Sequence, residues 1–182
     1  MFMNIEIILG CMFSGKSTEL LRRVNRWKAI GKKILLINNL SDTRTNNSVK
    51  THSNIYQDAC KIDRFLDSDD HEKICEYFCQ YDVIGIDEGQ FFPDLYDFLI
   101  ILEKYVYQNS KNINIIISGL DGDWKREPIG DILKIIPLCD DVVKLKALDM
   151  ISKDGSLGIF SKRINTDTNQ ISIGGDEKYV AV

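Results

Sequence analysis

The 182-residue chain has no C-x-x-C pair, no clustered basic stripe, no internal repeat and no low-complexity linker. Each absence removes a class of protein. Five cysteines, at 11, 60, 75, 79 and 139, are odd in number and irregularly placed, which argues against a disulfide framework and for reduced thiols. With a formal net charge of -4, the chain also lacks the electrostatic footprint of a nucleic-acid binder. Residues 1–10 are too short for a secretory signal, are interrupted by Glu6 and have no basic leader. No apolar run approaches the roughly 18 residues of a membrane span. A soluble cytoplasmic protein acting on small molecules is the expectation, with no nucleic acid and no membrane as partner.

His71, Cys75 and Cys79 stand at i, i+4 and i+8. On a helix the outer two lie about 12 Å apart along the axis, whereas zinc ligands must each come within about 2.3 Å of the ion. A half-buried helix face is the better reading, and the length suits one domain with a small appendage.

What the chain does have is Gly10-Cys11-Met12-Phe13-Ser14-Gly15-Lys16-Ser17, a complete G-x-x-x-x-G-K-S signature between an apolar run and a helical pattern. The glycines permit a tight turn, successive N–H groups point at phosphate oxygens, Lys16 reaches the β- and γ-phosphates and Ser17 ligates Mg²⁺. Around this P-loop, strands and helices alternate as in a parallel sheet covered on both faces, so the fold class is α/β. Strands are expected at 4–9, 33–38, 81–87, 113–120 and 142–145, the last of them central. Helices are expected from 16 to a stop at Gly31, over 69–80, over 93–108 with Pro93 in its first turn, and over 128–136 opened by Pro128. Residues 40–63 read as a long loop with one short strand, and 157–164 with 170–173 as a hairpin ahead of a short polar tail.

Asp87, closing an apolar strand, is the expected second acid of a phosphate–Mg²⁺ site. Glu88 beside it is placed to take a proton from an attacking hydroxyl or water. Arg44 and Arg126 are candidates to neutralise the transferring phosphoryl group. Two readings fit: a kinase, or a P-loop ATPase switch or motor in which Glu88 activates water and Gln90 senses the γ-phosphate. No guanine-recognition motif is present, and a nucleic-acid motor is usually larger and more basic, so the kinase reading leads.

The cradle extended through Thr18-Glu19-Leu20, Asp42-Thr43-Arg44, the run from Val83 through Asp87-Glu88-Gly89-Gln90-Phe91-Phe92, Gly119-Leu120-Asp121-Gly122 and Ile173-Gly174-Gly175-Asp176-Glu177-Lys178-Tyr179 together resemble the thymidine kinases of the cellular and poxvirus type. The motifs run in order over nearly the whole chain. The resemblance implies a P-loop (RecA-like) domain over residues 1–146 and a small C-terminal lasso lobe over 147–182. It implies transfer of the γ-phosphate of ATP to the 5′-hydroxyl of thymidine. Glu88 becomes the general base and Lys16 the phosphate clamp, with Arg44 at the transferred phosphate beside Asp42. Ser17 and Asp87 would hold Mg²⁺, and Gln90 joins the nucleotide site. Met12, Phe91, Leu120 and Trp124 would form the apolar pocket, while Phe160, Arg163, Ile171, Ser172, Ile173, Gly174, Gly175 and Tyr179 of the lasso enclose the base. A homo-oligomer, tetramer or dimer, is also implied.

The chain departs from that family in two places. A structural zinc held by two C-x-x-C pairs is usual, but the first position reads Asp149-Met150-Ile151-Ser152 and no second pair precedes Val182, so no zinc is expected. Ile129 stands where a phenylalanine is anticipated, which alters the pocket's shape.

Overall fold

A computed structural model describes residues 2–42, 48–50, 56–170, 174 and 177–182. Arg44, Ile171, Ser172, Ile173 and Gly175 lie outside the described residues. The first strand, β1 (Phe2–Gly10), leads through the cradle into α1 (Lys16–Ala29), followed by β2 (Ile34–Asn39). Three short strands come next, β3 (Ser48–Lys50), β4 (Tyr56–Asp58) and β5 (Cys60–Ile62), then α2 (His71–Phe78), β6 (Val83–Ile86), α3 (Leu95–Gln108), β7 (Asn112–Gly119) and β8 (Asp141–Leu145). The main sheet has six strands in the order β5-β2-β6-β7-β1-β8, all neighbours parallel.

Strands buried on both faces must be apolar on both, and β1 and β7 are. Ile8 and Ile116 pack with Leu20, Leu21 and Val24 of α1 on one side. On the other, Ile5, Ile7, Ile115 and Ile117 meet Leu95, Phe98, Leu99 and Leu102 of α3 together with Cys75 and Phe78 of α2. Gly85 of β6 allows α1 to lie close, since a Cβ there would stand 2.9 Å from Val24 Cγ2.

Four expectations are corrected. The segment 40–63 contains three strands rather than one, and β5 extends the main sheet through Ile37 and Cys60; strands this short carry no readable period. Residues 128–136 form turns ending in a 3₁₀ turn, Ile136–Leu138, instead of an α-helix. Gly130 breaks it with φ 56°, in a position where a Cβ would meet Gln90 O at 2.3 Å. The strand β8 lies at the sheet's edge, beyond β1.

The fourth concerns the lobe after residue 146. It consists of β9 (Ala147–Leu148) paired with β10 (Leu157–Gly158), and β11 (Ser161–Arg163) paired with β12 (Tyr179–Ala181). The partner of β11 is thus the segment read as a polar tail, in which Tyr179 and Ala181 are buried.

Candidate active site

The cradle sits at the carboxyl end of β1, where a parallel sheet opens toward ligands. Gly15 takes φ 86° to turn the chain into α1. At Gly10 a Cβ would stand 2.5 Å from Leu145 O, so the loop leaves β1 pressed against β8. Lys16 bends back, its Nζ donating to Cys11 O at 2.7 Å, and Ser14 Oγ donates to the same oxygen at 2.8 Å. Burial pulls the Lys16 pKa below its ordinary value, with Glu88 and then Asp87 opposing the shift. Burial likewise pushes the Cys11 thiol up, which marks a packing residue instead of a nucleophile.

Asp87 follows β6 directly, and its Oδ1 accepts from Ser17 Oγ at 3.2 Å and from Ser118 Oγ. Two hard oxygen groups therefore converge beside the cradle, a donor set that suits Mg²⁺. Glu88 adopts φ 55°, a left-handed conformation unusual outside glycine. It is held there by Gln90, whose Nε2 donates to Glu88 Oε2 at 2.7 Å while its Oε1 accepts from Leu120 N at 2.9 Å. Gln90 is buried, and its amide is committed to orienting Glu88 and the end of β7, contrary to a sensor of the γ-phosphate.

One cavity joins these parts. Met12, Phe13, Gly15, Lys16, Ser17 and Thr18 line it from the cradle side, with Asp42, Glu88 and Phe91 from the ends of β2 and β6. Leu120, Gly122, Asp123, Trp124 and Ile129 follow β7, and Ser161, Gln170, Gly174 and Tyr179 come from the lobe. Of the residues named from sequence, Met12, Phe13, Gly15, Lys16, Ser17, Asp42, Glu88, Phe91, Leu120, Trp124, Ile129, Gly174 and Tyr179 meet in this cavity. Gly10, Cys11, Ser14, Asp87 and Gln90 do not line it, and Cys11, Asp87 and Gln90 are hydrogen-bonded to Lys16, Ser17 and Glu88, which do.

Phe160 and Arg163 are placed differently. The Arg126 guanidinium lies 3.8 Å from the Phe160 ring centroid, and neither residue lines the cavity. Arg163 is the lobe's organiser: it donates to Asp167 O, Asn169 O, Gln170 O and Tyr179 Oη and lies between the rings of Trp124 and Tyr179. Trp124 Nε1 donates to Asn169 O at 3.3 Å, and Gln170 Nε2 to Pro128 O at 3.3 Å, so the lobe is fastened to the loop after β7. Sequence reasoning assigned no site role to Thr18, Gly122, Asp123, Ser161 and Gln170. Thr18 and Gly122 stand in the motifs quoted above, and alternation places Ser161 on the same strand face as Arg163; Asp123 and Gln170 left no such signal.

A parallel sheet presenting a phosphate loop, with paired acids at the next strand end but one and a walled chamber alongside, defines a P-loop enzyme that acts on a nucleotide and a second small molecule. The thymidine kinase family model matches residues 3–182. The chain belongs to that family. Among its relatives, the thymidine kinase of Myxoma virus (strain Uriarra) is 41% identical over 180 residues, 98% of this chain and 93% of that one. Those of Sheeppox virus (strain KS-1) and Vaccinia virus (strain Western Reserve) are 40% and 39% identical, each over 98% of this chain and 93% of the relative. Among solved structures, a crystal structure of a DNA replication initiation factor superposes with a TM-score of 0.44 at 15% identity, covering 78% of this chain and 40% of that one.

Proposed function

We propose that thymidine occupies the walled part of the cavity beside ATP in the cradle, and that Glu88 draws the proton from its 5′-hydroxyl as the γ-phosphate is transferred. Phosphorylation of thymidine, with ATP as donor, is the activity of the family to which the chain belongs. The observation that carries the arrangement is the single cavity: Lys16, Ser17 and Glu88 share it with Phe91, Trp124 and Tyr179. Apolar walls exclude water and orient a flat base, while few polar groups confer selectivity.

Lys16 clamps phosphate oxygens once they displace Cys11 O as its partner. Ser17 and Asp87 fit Mg²⁺ through the oxygen pair described above, and the ion would neutralise charge on the β- and γ-phosphates. Gln90 holds the Glu88 carboxylate ready to accept a proton. Arg44, Ile171, Ser172, Ile173 and Gly175 are proposed at the phosphate and the base on the resemblance alone, and Phe160 and Arg163 as supports of the lasso.

The division into residues 1–146 and 147–182 is proposed as nucleotide domain and substrate lobe. We further read the protein as a cytoplasmic homo-oligomer, dimer or tetramer, without nucleic-acid or membrane partners and without structural zinc. Among the described residues no helix is long and apolar enough to cross a membrane.

The experiment is ATP consumption with each of the four deoxynucleosides, against no acceptor. Turnover should depend on thymidine; equal rates without acceptor would restore the ATPase reading.

A further inference from the structure

The carboxyl end of β2 carries two adjacent side chains that a strand interior ordinarily excludes. Asn38 is 0% and Asn39 1% exposed, directly after the buried Leu35, Leu36 and Ile37. A buried amide is costly unless its donors and acceptor are met. Here the amides' bonds lead to two walls of the cavity. Asn38 Nδ2 donates to Asp42 Oδ2 at 2.9 Å, and Asn38 Oδ1 accepts from the Asn39 N–H at 2.8 Å. Asn39 Nδ2 donates to Phe91 O at 3.3 Å, while its Oδ1 accepts from Ser41 N at 2.8 Å.

Both targets line the cavity. The Asp42 backbone is fixed as well, its N–H donating to Asn39 O at 3.0 Å and its carbonyl accepting from Lys61 Nζ of β5. Phe91 N donates to Glu88 O at 3.0 Å, which closes the short turn carrying Glu88. That turn is therefore gripped at two points, by Gln90 through the Glu88 carboxylate and by Asn39 through the Phe91 carbonyl.

We infer that Asn38 and Asn39 are positioning residues for phosphoryl transfer: Asn38 aims the Asp42 carboxylate into the cavity, and Asn39 sets the Glu88–Phe91 turn against the end of β2. The inference rests on the reading of this cavity as the thymidine site. An apolar pair would satisfy the core equally well, so the amides are explained by what they hold.

The test is a double-mutant cycle in steady-state kinetics. Asn38→Ala should lower kcat about tenfold, within the range that small misplacements of reacting groups produce, with the KM for ATP changed less than about twofold. In an Asp42→Ala background the same substitution should cost less than about twofold more, because its effect passes through Asp42. Full additivity of the two kcat losses, or an unchanged kcat in folded Asn38→Ala, would overturn the role of Asn38. Should that variant fail to fold, Asn38→Ser, whose hydroxyl is too short to reach Asp42, is read by the same criterion. Asn39→Asp keeps an acceptor for Ser41 N but replaces the donor to Phe91 O with a carboxylate oxygen, which repels that carbonyl; Asn39→Leu, which lacks the donor and adds no charge, is read beside it. Both variants should lower kcat and raise the thymidine KM about fivefold or more while leaving the KM for ATP unchanged, the loss in Asn39→Leu being that of about one hydrogen bond; equal changes in the two KM values, or unchanged kcat and thymidine KM in folded Asn39→Leu, would overturn the role of Asn39. Thymidine-independent turnover by the unaltered protein would count against the function, whereas additivity counts against the positioning role of Asn38 alone.

Discussion

The backbone N–H of Met12 donates to the hydroxyl of Ser161 at 2.9 Å. A donor within the phosphate loop is thereby joined to the C-terminal lobe. Beside it, Cys11 Sγ donates to Gly158 O at 3.5 Å, and Cys11 packs with Ala147 and Ala181. Cradle and lobe share one joint, so ordering either should order the other. Such coupling is reciprocal between the two ligands.

Cutting that joint makes the first prediction. Ser161→Ala leaves the Met12 N–H without its acceptor, a loss of about 1–3 kcal/mol where water cannot replace it. Hydrogen exchange should accelerate in peptides covering residues 11–13 and 157–163, and thymidine should bind several-fold more weakly. Exchange unchanged in both peptides would show that the bond does not couple them.

The second prediction concerns Glu88. Glu88→Gln preserves shape and still offers Gln90 an oxygen, but removes the proton acceptor. Its kcat should fall by about 10²-fold or more, the contribution of a positioned base, while calorimetric binding of thymidine and ATP survives. Near-normal kcat would place the base elsewhere.

These contrasts also mark what the sequence made legible. The cradle, Asp87 and Glu88 could be read because the chemistry needs adjacent residues at fixed spacing, and the long strands because burial on both faces demands apolar runs. Pairing of β11 with β12 could not, because strands of three residues have too little period and Arg163, which shapes the intervening loop, uses backbone carbonyls that any sequence supplies. Asn38 closes the expected strand and Asn39 lies between it and the expected loop, and neither position shows its role until its burial is known. Gln90 reads from sequence as a nucleotide residue, and its bond to Leu120 N, 30 residues away, is invisible there.

Lys16 gives a prediction about pH. Burial lowers its folded pKa from the ordinary 10.5, against the pull of Glu88, Asp87, Cys11 and Asp121. A depressed folded value means that this group's share of stability is complete only above the unfolded pKa and is lost as pH falls through the folded one. At neutral pH, well below the unfolded value, the empty protein therefore carries the cost of that burial. Lys16→Met should abolish turnover yet raise the Tm of the nucleotide-free protein at pH 7, with the gain shrinking toward pH 10. A lower Tm at neutral pH would show that the ammonium's bond to Cys11 O outweighs its burial.

The last prediction is that the lobe is held without metal. Tetrahedral structural zinc takes four nitrogen or sulfur ligands in most sites and contributes folding energy outright. From Lys144 onward the chain contains no cysteine or histidine, and hydrogen bonds occupy the place of a metal knuckle between β9 and β10. Asp149 Oδ1 accepts from Ile151 N at 2.7 Å and Ser152 N at 2.9 Å, and Asp149 N donates to Ser156 O at 2.9 Å. Asp154 Oδ1 accepts from Ser156 N and Ser152 Oγ, each at 2.9 Å, and hydrogen bonds led by Ser156 hold its carboxyl down to about 2. A knuckle built of hydrogen bonds instead of metal ligands should survive chelation, and the share held by Asp154 should be lost only as pH falls toward about 2. Asp149→Ala, which removes the acceptor for two N–H groups, should speed hydrogen exchange across residues 149–156, whereas EDTA in excess Mg²⁺ should leave exchange and activity unchanged. Stoichiometric zinc in the purified protein, with activity lost on chelation, would defeat the proposal and direct attention to His71, Cys75 and Cys79, where Cys75 is buried and Cys79 half-buried on α2 and at its end.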